Sequence, residues 1–164
     1  MRCFKCIAGI GLLLLGSTIC LQAQSKEKAP SGIYTVVRKS TYVFKDRISG
    51  KRIYVATTPD INVSYIEKVS SETDVNGLPA LVMKMDAEGK EKLTAFTTRM
   101  KGKQAAIIVN NRLLMAPTIT SPISGGRLSI RGGFTLTEVN DLKNALQKEM
   151  DSVKQLQIPT RSLQ

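Results

Sequence analysis

From Ile33 onward the residues alternate between two faces, Ile33, Thr35 and Val37 against Tyr34, Val36 and Arg38. This is the period-two pattern of a half-buried strand. Tyr42-Val43-Phe44 continues it, and Ser49-Gly50 supplies a turn into Arg52-Ile53-Tyr54-Val55, so a β-hairpin is expected over residues 33–56. Thr58-Pro59-Asp60 reads as a loop, and Val63 to Val69 fits either a strand or a short helix. Asp74-Val75-Asn76-Gly77 is a turn that leads into Ala80-Leu81-Val82-Met83-Lys84-Met85, the clearest strand before the first helix.

The period then changes. Asp86 can cap a helix by accepting from the free amides of its first turn, and Leu93, Phe96 and Met100 recur at helical spacing as one buried stripe. Lys101-Gly102-Lys103 ends that helix. Ala105 to Val109 is an apolar run short enough for a buried strand, and Asn110-Asn111 can take the left-handed dihedrals of a tight hairpin into Leu113-Leu114-Met115. Farther on, Thr135-Leu136-Thr137-Glu138 matches a capping box, and Val139, Leu142, Leu146, Met150 and Val153 carry one apolar stripe through several turns. Arg127 to Arg131 is therefore a strand between a loop and a long amphipathic helix. Gly125-Gly126 and Gly132-Gly133 bracket it.

Those glycines raise the question of a phosphate-cradling loop. Such a loop places glycine-rich backbone directly before a helix, whereas here Phe134 intervenes and no P-loop lysine and serine follow. The two pairs are read instead as turning points that supply positive dihedrals and close approach at the ends of an inserted strand.

The first 23 residues follow neither period. Arg2 and Lys5 precede an apolar run from Ile7 to Leu15, followed by small and polar residues ending at Ala23, the build of a secretory signal peptide. Cleavage near Ala23 competes with a site at Thr18 and Cys20. Lipoprotein processing at Cys20 is disfavoured, because Ile19 and Ser17 stand where such signals want a small and an aliphatic residue. The apolar run is shorter than the roughly 20 residues a membrane span requires, so no transmembrane segment is expected in the mature chain. Residues 24–32 read as a linker and 158–164 as a disordered tail. The expected location is outside the cytoplasm, periplasmic or extracellular.

Composition narrows the chemistry. The 164 residues suit one compact domain with tails. All three cysteines, Cys3, Cys6 and Cys20, lie in the expected leader, and histidine is absent. The exported part thus lacks the commonest general base and the commonest soft metal ligands. The carboxylates are scattered, as helix caps and solvated faces would be. No catalytic residue, cofactor or metal is expected, and an enzyme is disfavoured.

Of 24 Lys and Arg, removal of Arg2 and Lys5 leaves 22 against 13 Asp and Glu, about +9 at neutral pH. Between Gln24 and Arg52 the excess is concentrated, with eight basic residues opposed only by Glu27 and Asp46. Lys39, Lys45, Arg47, Lys51 and Arg52 are the candidate contacts for an anionic surface. Nucleic acid is disfavoured outside the cytoplasm, leaving anionic lipid, acidic envelope polymer or acidic polypeptide as the partner classes.

From about Asn76 to Leu146 the residues resemble the head subdomain of the first periplasmic domain of the SecD and SecDF protein-export proteins. The resemblance is carried in order by Gly77 and Pro79, Glu88-Gly89, Phe96 and Thr97, and Ala106-Ile107-Ile108-Val109. It continues through Ala116 and Pro117 with Ile119, Ile123 with Gly125 and Gly126, Ile130 with Gly132, and Phe134, Thr135 and Glu138. Asn110-Asn111 replaces the family's usual Asp-Gly turn, and the several membrane helices of SecD-type proteins have no counterpart after the leader. A head without those helices is not expected to act as a proton-driven motor.

The resemblance implies an α+β fold, an antiparallel or mixed sheet covered by two helices with a ferredoxin-like (split β-α-β) second half over residues 57–157. The N-terminal hairpin would extend that sheet or form an appendage. Two functions follow as expectations. One is a non-enzymatic module that holds emerging polypeptide, accessory to export and acting beside a SecD-type translocon component; the other is an envelope interaction protein docking through its basic hairpin to an anionic surface or partner protein.

Overall fold

The computed structural model describes residues 28–157, so the expected leader, the start of the linker and the tail at 158–164 lie outside the described residues. Nine strands and two helices follow one another: β1 Gly32–Val37, β2 Val43–Lys45, β3 Arg52–Val55, β4 Ile61–Asn62, β5 Ile66–Thr73, β6 Pro79–Met85, α1 Ala87–Arg99, β7 Ala105–Val109, β8 Arg112–Met115, β9 Arg127–Ile130 and α2 Leu136–Gln157. The fold is α+β, and every named strand pair is antiparallel.

The strands form two sheets where one was expected. The first runs β2-β3-β1-β7-β8 with β4 sharing an edge of β1, and the second runs β5-β6-β9. A split β-α-β arrangement would place the strands flanking α1 in one sheet, but β6 and β7 lie in different ones. Helix α1 therefore crosses from sheet to sheet. Apolar side chains from both sheets and both helices meet in one cluster, including Ile33, Ile107, Leu81, Met83, Leu93, Phe96, Leu146 and Met150. The opposite face of the first sheet buries Tyr34, Val55, Ala106, Ile108 and Leu113, with half-buried Tyr42, Phe44 and Ile53 beside them. Every residue of β7 is thus buried, which is why its sequence is an unbroken apolar run.

Local chemistry accounts for most element ends. Asp86 caps α1 by accepting from the Gly89 amide at 2.7 Å. At the same point a Cβ on Gly89 would lie 2.5 Å from the Tyr65 carbonyl oxygen, so the helix can start this close to the residue preceding β5 only with glycine there. Asn110 and Asn111 both adopt positive φ, 48° and 58°, and close the β7–β8 hairpin as a turn of left-handed residues. The ambiguous stretch from Val63 to Val69 is both things in succession, a 3-10 turn over Val63–Tyr65 and then β5. A register shift between Ile66 and Lys68 brings Ile66 and Val69, three residues apart, to buried positions on one strand.

Three readings of the N-terminal third change. The stretch taken as linker is packed at its end: Ala29 and Ser31 are buried, and the Ser31 hydroxyl donates to Glu149 and accepts from the Asn110 amide, both at 2.8 Å. Only β2 and β3 form the hairpin. β1 lies on the other edge of β3 and on through to β7, so this region is part of the first sheet and not an appendage. Asp60, read as a solvated carboxylate, instead joins β1 to the end of α1, accepting from the Thr35 amide and hydroxyl and from Arg99 at 2.7 Å.

Candidate functional site

After β8 the chain crosses between the sheets as a long loop, Ala116 to Gly126, and an apolar slot of about 220 Å³ lies beneath it. β1 and β7 supply Ile33 and Ile107, α1 supplies Leu93 and Phe96, β9 supplies Leu128, and the loop itself supplies Pro117, Ile119 and Ile123. Thr118, Thr120 and Ser121 bring hydroxyls to it, and these three residues are exposed. No lining residue is titratable. The volume is below the 300 Å³ or so of pockets that enclose a small-molecule ligand, and is on the scale of one or two apolar side chains.

The loop is fastened along its length, first where the Pro117 carbonyl accepts from the Ala105 amide at 3.0 Å. The Ile119 amide donates to the Lys103 carbonyl at 2.9 Å while its own carbonyl accepts from the Gly102 amide at 2.8 Å. In the middle, the Ile123 amide donates to the Thr97 hydroxyl at 2.9 Å, and the Thr94 hydroxyl donates to the Ile123 carbonyl at 3.1 Å. At its end the Gly126 carbonyl accepts from the Met85 amide at 2.8 Å. A buried hydroxyl must find partners, and Thr97, with 1% of its surface exposed, donates to the Leu93 carbonyl as well. One face of α1 therefore lines the slot and holds its roof.

The family-motif residues singled out from the sequence are not brought to one place. Pro117 lines the slot, whereas Ala116 packs in the smaller cluster behind the first sheet. Gly126 is buried at φ 65° against the Lys90 side chain, and Gly132 and Gly133 turn at φ 131° and 65°. Gly125 is exposed and has no positive φ, so three of the four paired glycines supply the expected dihedrals.

Phe134 is buried, and the capping box forms as read. The Thr135 amide donates to Glu138 at 3.0 Å, and the Glu138 amide donates to the Thr135 hydroxyl at 3.2 Å. Glu138 also receives Arg112 at 3.1 Å and Arg47 at 3.5 Å. These donors, the Thr135 amide first and Arg112 next, hold its carboxyl below the usual carboxylate range.

Arg47 is thereby removed from the set of free cations. Its guanidinium stands 5.3 Å from the centre of the Phe134 ring besides pairing with Glu138, so it ties the β2–β3 hairpin to α2. Lys39, Lys45, Lys51 and Arg52 are exposed, and none makes an ion pair among the described residues. Arg112 was not foreseen. Nothing in its local pattern points to Glu138, 26 residues on, because the pairing depends on how β8 meets α2.

With this arrangement in place, comparison with known families is decisive: the profile of the SecDF P1 head subdomain matches residues 39–149. The chain belongs to that family. The match reaches well N-terminal of Asn76 and takes in the basic hairpin, so the hairpin is part of the head. The head is 34% identical over 83 residues to the protein translocase subunit SecD of Leptotrichia buccalis, covering 51% of this chain and 20% of that protein. It is 30% identical over 104 residues to the SecDF subunit of Brucella abortus, covering 62% of this chain and 13% of that protein. The chain thus spans a fifth or less of the length of these relatives. A solved structure of SecDF, described as a membrane component that enhances protein export, superposes with a TM-score of 0.57 at 18% identity, covering 73% of this chain and 63% of the other. At that identity the likeness speaks to the fold.

Proposed function

We propose that this SecDF-type head is a non-enzymatic binding module that works outside the cytoplasm, accessory to protein export, and takes hold of emerging polypeptide at the slot beneath residues 116–126. The observation that carries the reading is the slot itself, apolar, free of titratable groups and roofed by a tethered loop. An unfolded chain offers two things a folded one hides, apolar side chains and unpaired backbone. The slot suits the first. For the second, β9 stands at an edge of its sheet and contributes Leu128 to the slot, so a strand added along β9 would gain main-chain hydrogen bonds beside it. The signal-peptide reading of residues 1–23 and the SecD-type proteins of the family support a location and a partner class on the export pathway.

A photoreactive residue at Thr120, on the exposed rim of the slot, tests this against the same residue at Gln147 on the exposed face of α2. In cells, position 120 is expected to capture a spread of unfolded exported chains and position 147 to capture few. Equal capture at both positions, or capture at 120 of one folded partner alone, would sink the proposal.

A further inference from the structure

We infer that the β2–β3 hairpin is a docking finger for an anionic lipid surface. The inference goes beyond polypeptide binding and uses none of the residues of the slot.

Its first support is a conflict inside the hairpin. Lys45 and Arg52 are directly opposed in the strand register, and both are exposed. Like charges at opposed positions of an antiparallel pair destabilise it. Lys51 adds a third exposed cation next to them. The nearest acid cannot compensate, because the Asp46 carboxylate is turned into the hairpin's own bend, accepting from the Ser49 hydroxyl and amide and from the Ile48 amide. Arg47 is committed to Glu138 and Phe134. Lys45, Lys51 and Arg52 thus have no ion-pair partner among the described residues, and an anion brought from outside would relieve their repulsion.

The second support selects the kind of anion. Ile48 sits in the bend with 89% of its surface exposed, flanked in sequence by these cations. A soluble polyanion would use the charges and leave Ile48 in water. A bilayer offers an anionic layer with an apolar layer under it, so an isoleucine ahead of lysines and an arginine can enter the boundary while the longer side chains reach the phosphates.

The finger is also held in shape. The Gly50 amide donates to the Asp46 carbonyl at 3.0 Å, the Asp46 amide donates to the Lys51 carbonyl at 2.9 Å, and Arg47 braces the bend against α2. Little order remains to be imposed on binding.

The test is co-flotation of the protein, in the form cells produce, with vesicles of neutral phosphatidylcholine and with vesicles containing anionic phosphatidylglycerol. The readout is the difference between the two, so that any attachment through the N-terminus cancels. Anionic vesicles are expected to bind more tightly, with the difference shrinking as salt rises. Lys45→Ser, Lys51→Ser and Arg52→Ser combined are expected to weaken it on the order of a hundredfold, about fivefold per cation. Ile48→Ser is expected to weaken vesicle binding about tenfold while leaving binding to soluble polyphosphate unchanged.

A wild-type protein indifferent to anionic lipid, or a triple variant that binds as wild type does, would overturn the inference. So would an Ile48→Ser protein that binds vesicles normally; together with loss of polyphosphate binding in the triple variant, that result would make a soluble acidic polymer the ligand. Unfolding midpoints no lower than that of wild type in both variants establish that the folds are intact, and the triple variant, relieved of the repulsion between Lys45 and Arg52, is expected to unfold at or above the wild-type midpoint.

Discussion

Thr97 shows how much can hang on one hydroxyl. It is buried on α1, donates to the Leu93 carbonyl at 2.7 Å, and accepts from the Ile123 amide at 2.9 Å in the middle of the loop that roofs the slot. Thr97→Val keeps the shape and removes the acceptor, leaving the half-buried Ile123 amide without its partner. The cost of such an orphan is about 1–3 kcal/mol. Urea unfolding is expected to register a loss of that size for Thr97→Val, with Thr97→Ser, which keeps the oxygen and gives up a methyl, falling between it and wild type. If Val and Ser variants are equally stable, the tether contributes nothing. Thr97 entered the sequence reading only through the family resemblance, because a threonine on a helix carries no local mark of a distant partner. Asp86, by contrast, was legible, since a cap acts on amides of the next few residues.

Between the hairpin and α2, Glu138 connects elements that the chain keeps far apart. Its capping role is local and follows from the Thr135 to Glu138 spacing. Its pairing with Arg47 and Arg112 is not local, and the sequence offered Arg47 equally well as a free surface cation. The carboxyl's folded-state value is depressed below its ordinary 4.5, so its stabilising contribution is complete above that value and is lost as pH falls through the depressed one. Glu138→Gln retains an acceptor for the Thr135 amide and gives up the charge. The thermal midpoint of wild type is therefore expected to exceed that of Glu138→Gln near neutral pH, and the gap to narrow as pH falls below 4.5 through the depressed value. A gap that does not depend on pH would mean that the pairs with Arg47 and Arg112 add nothing to the cap.

At the scale of the molecule, the sequence was informative about elements and silent about their grouping. The alternation of β1, the apolar run of β7 and the stripes of α1 and α2 each report which faces are buried. Whether β6 and β7 share a sheet depends on β1 pairing with β7 and β6 with β5 and β9, and burial patterns look the same either way. The outcome matters for function, because the division into two sheets opens the gap that the loop from Ala116 to Gly126 covers, while the basic hairpin sits at the far end of the first sheet's strand order. The slot and the finger share no residue. Free energies at sites without shared partners add to within about twofold in affinity. Anisotropy of a labelled unfolded polypeptide is thus expected to give the same affinity, within about twofold, with or without anionic vesicles and with or without the Lys45, Lys51 and Arg52 substitutions. Rising salt should release the vesicles and leave the polypeptide bound, since the slot is lined by no charge. Displacement of the polypeptide by vesicles would mean that the two ligands compete for one surface, and one of the two assignments would fall.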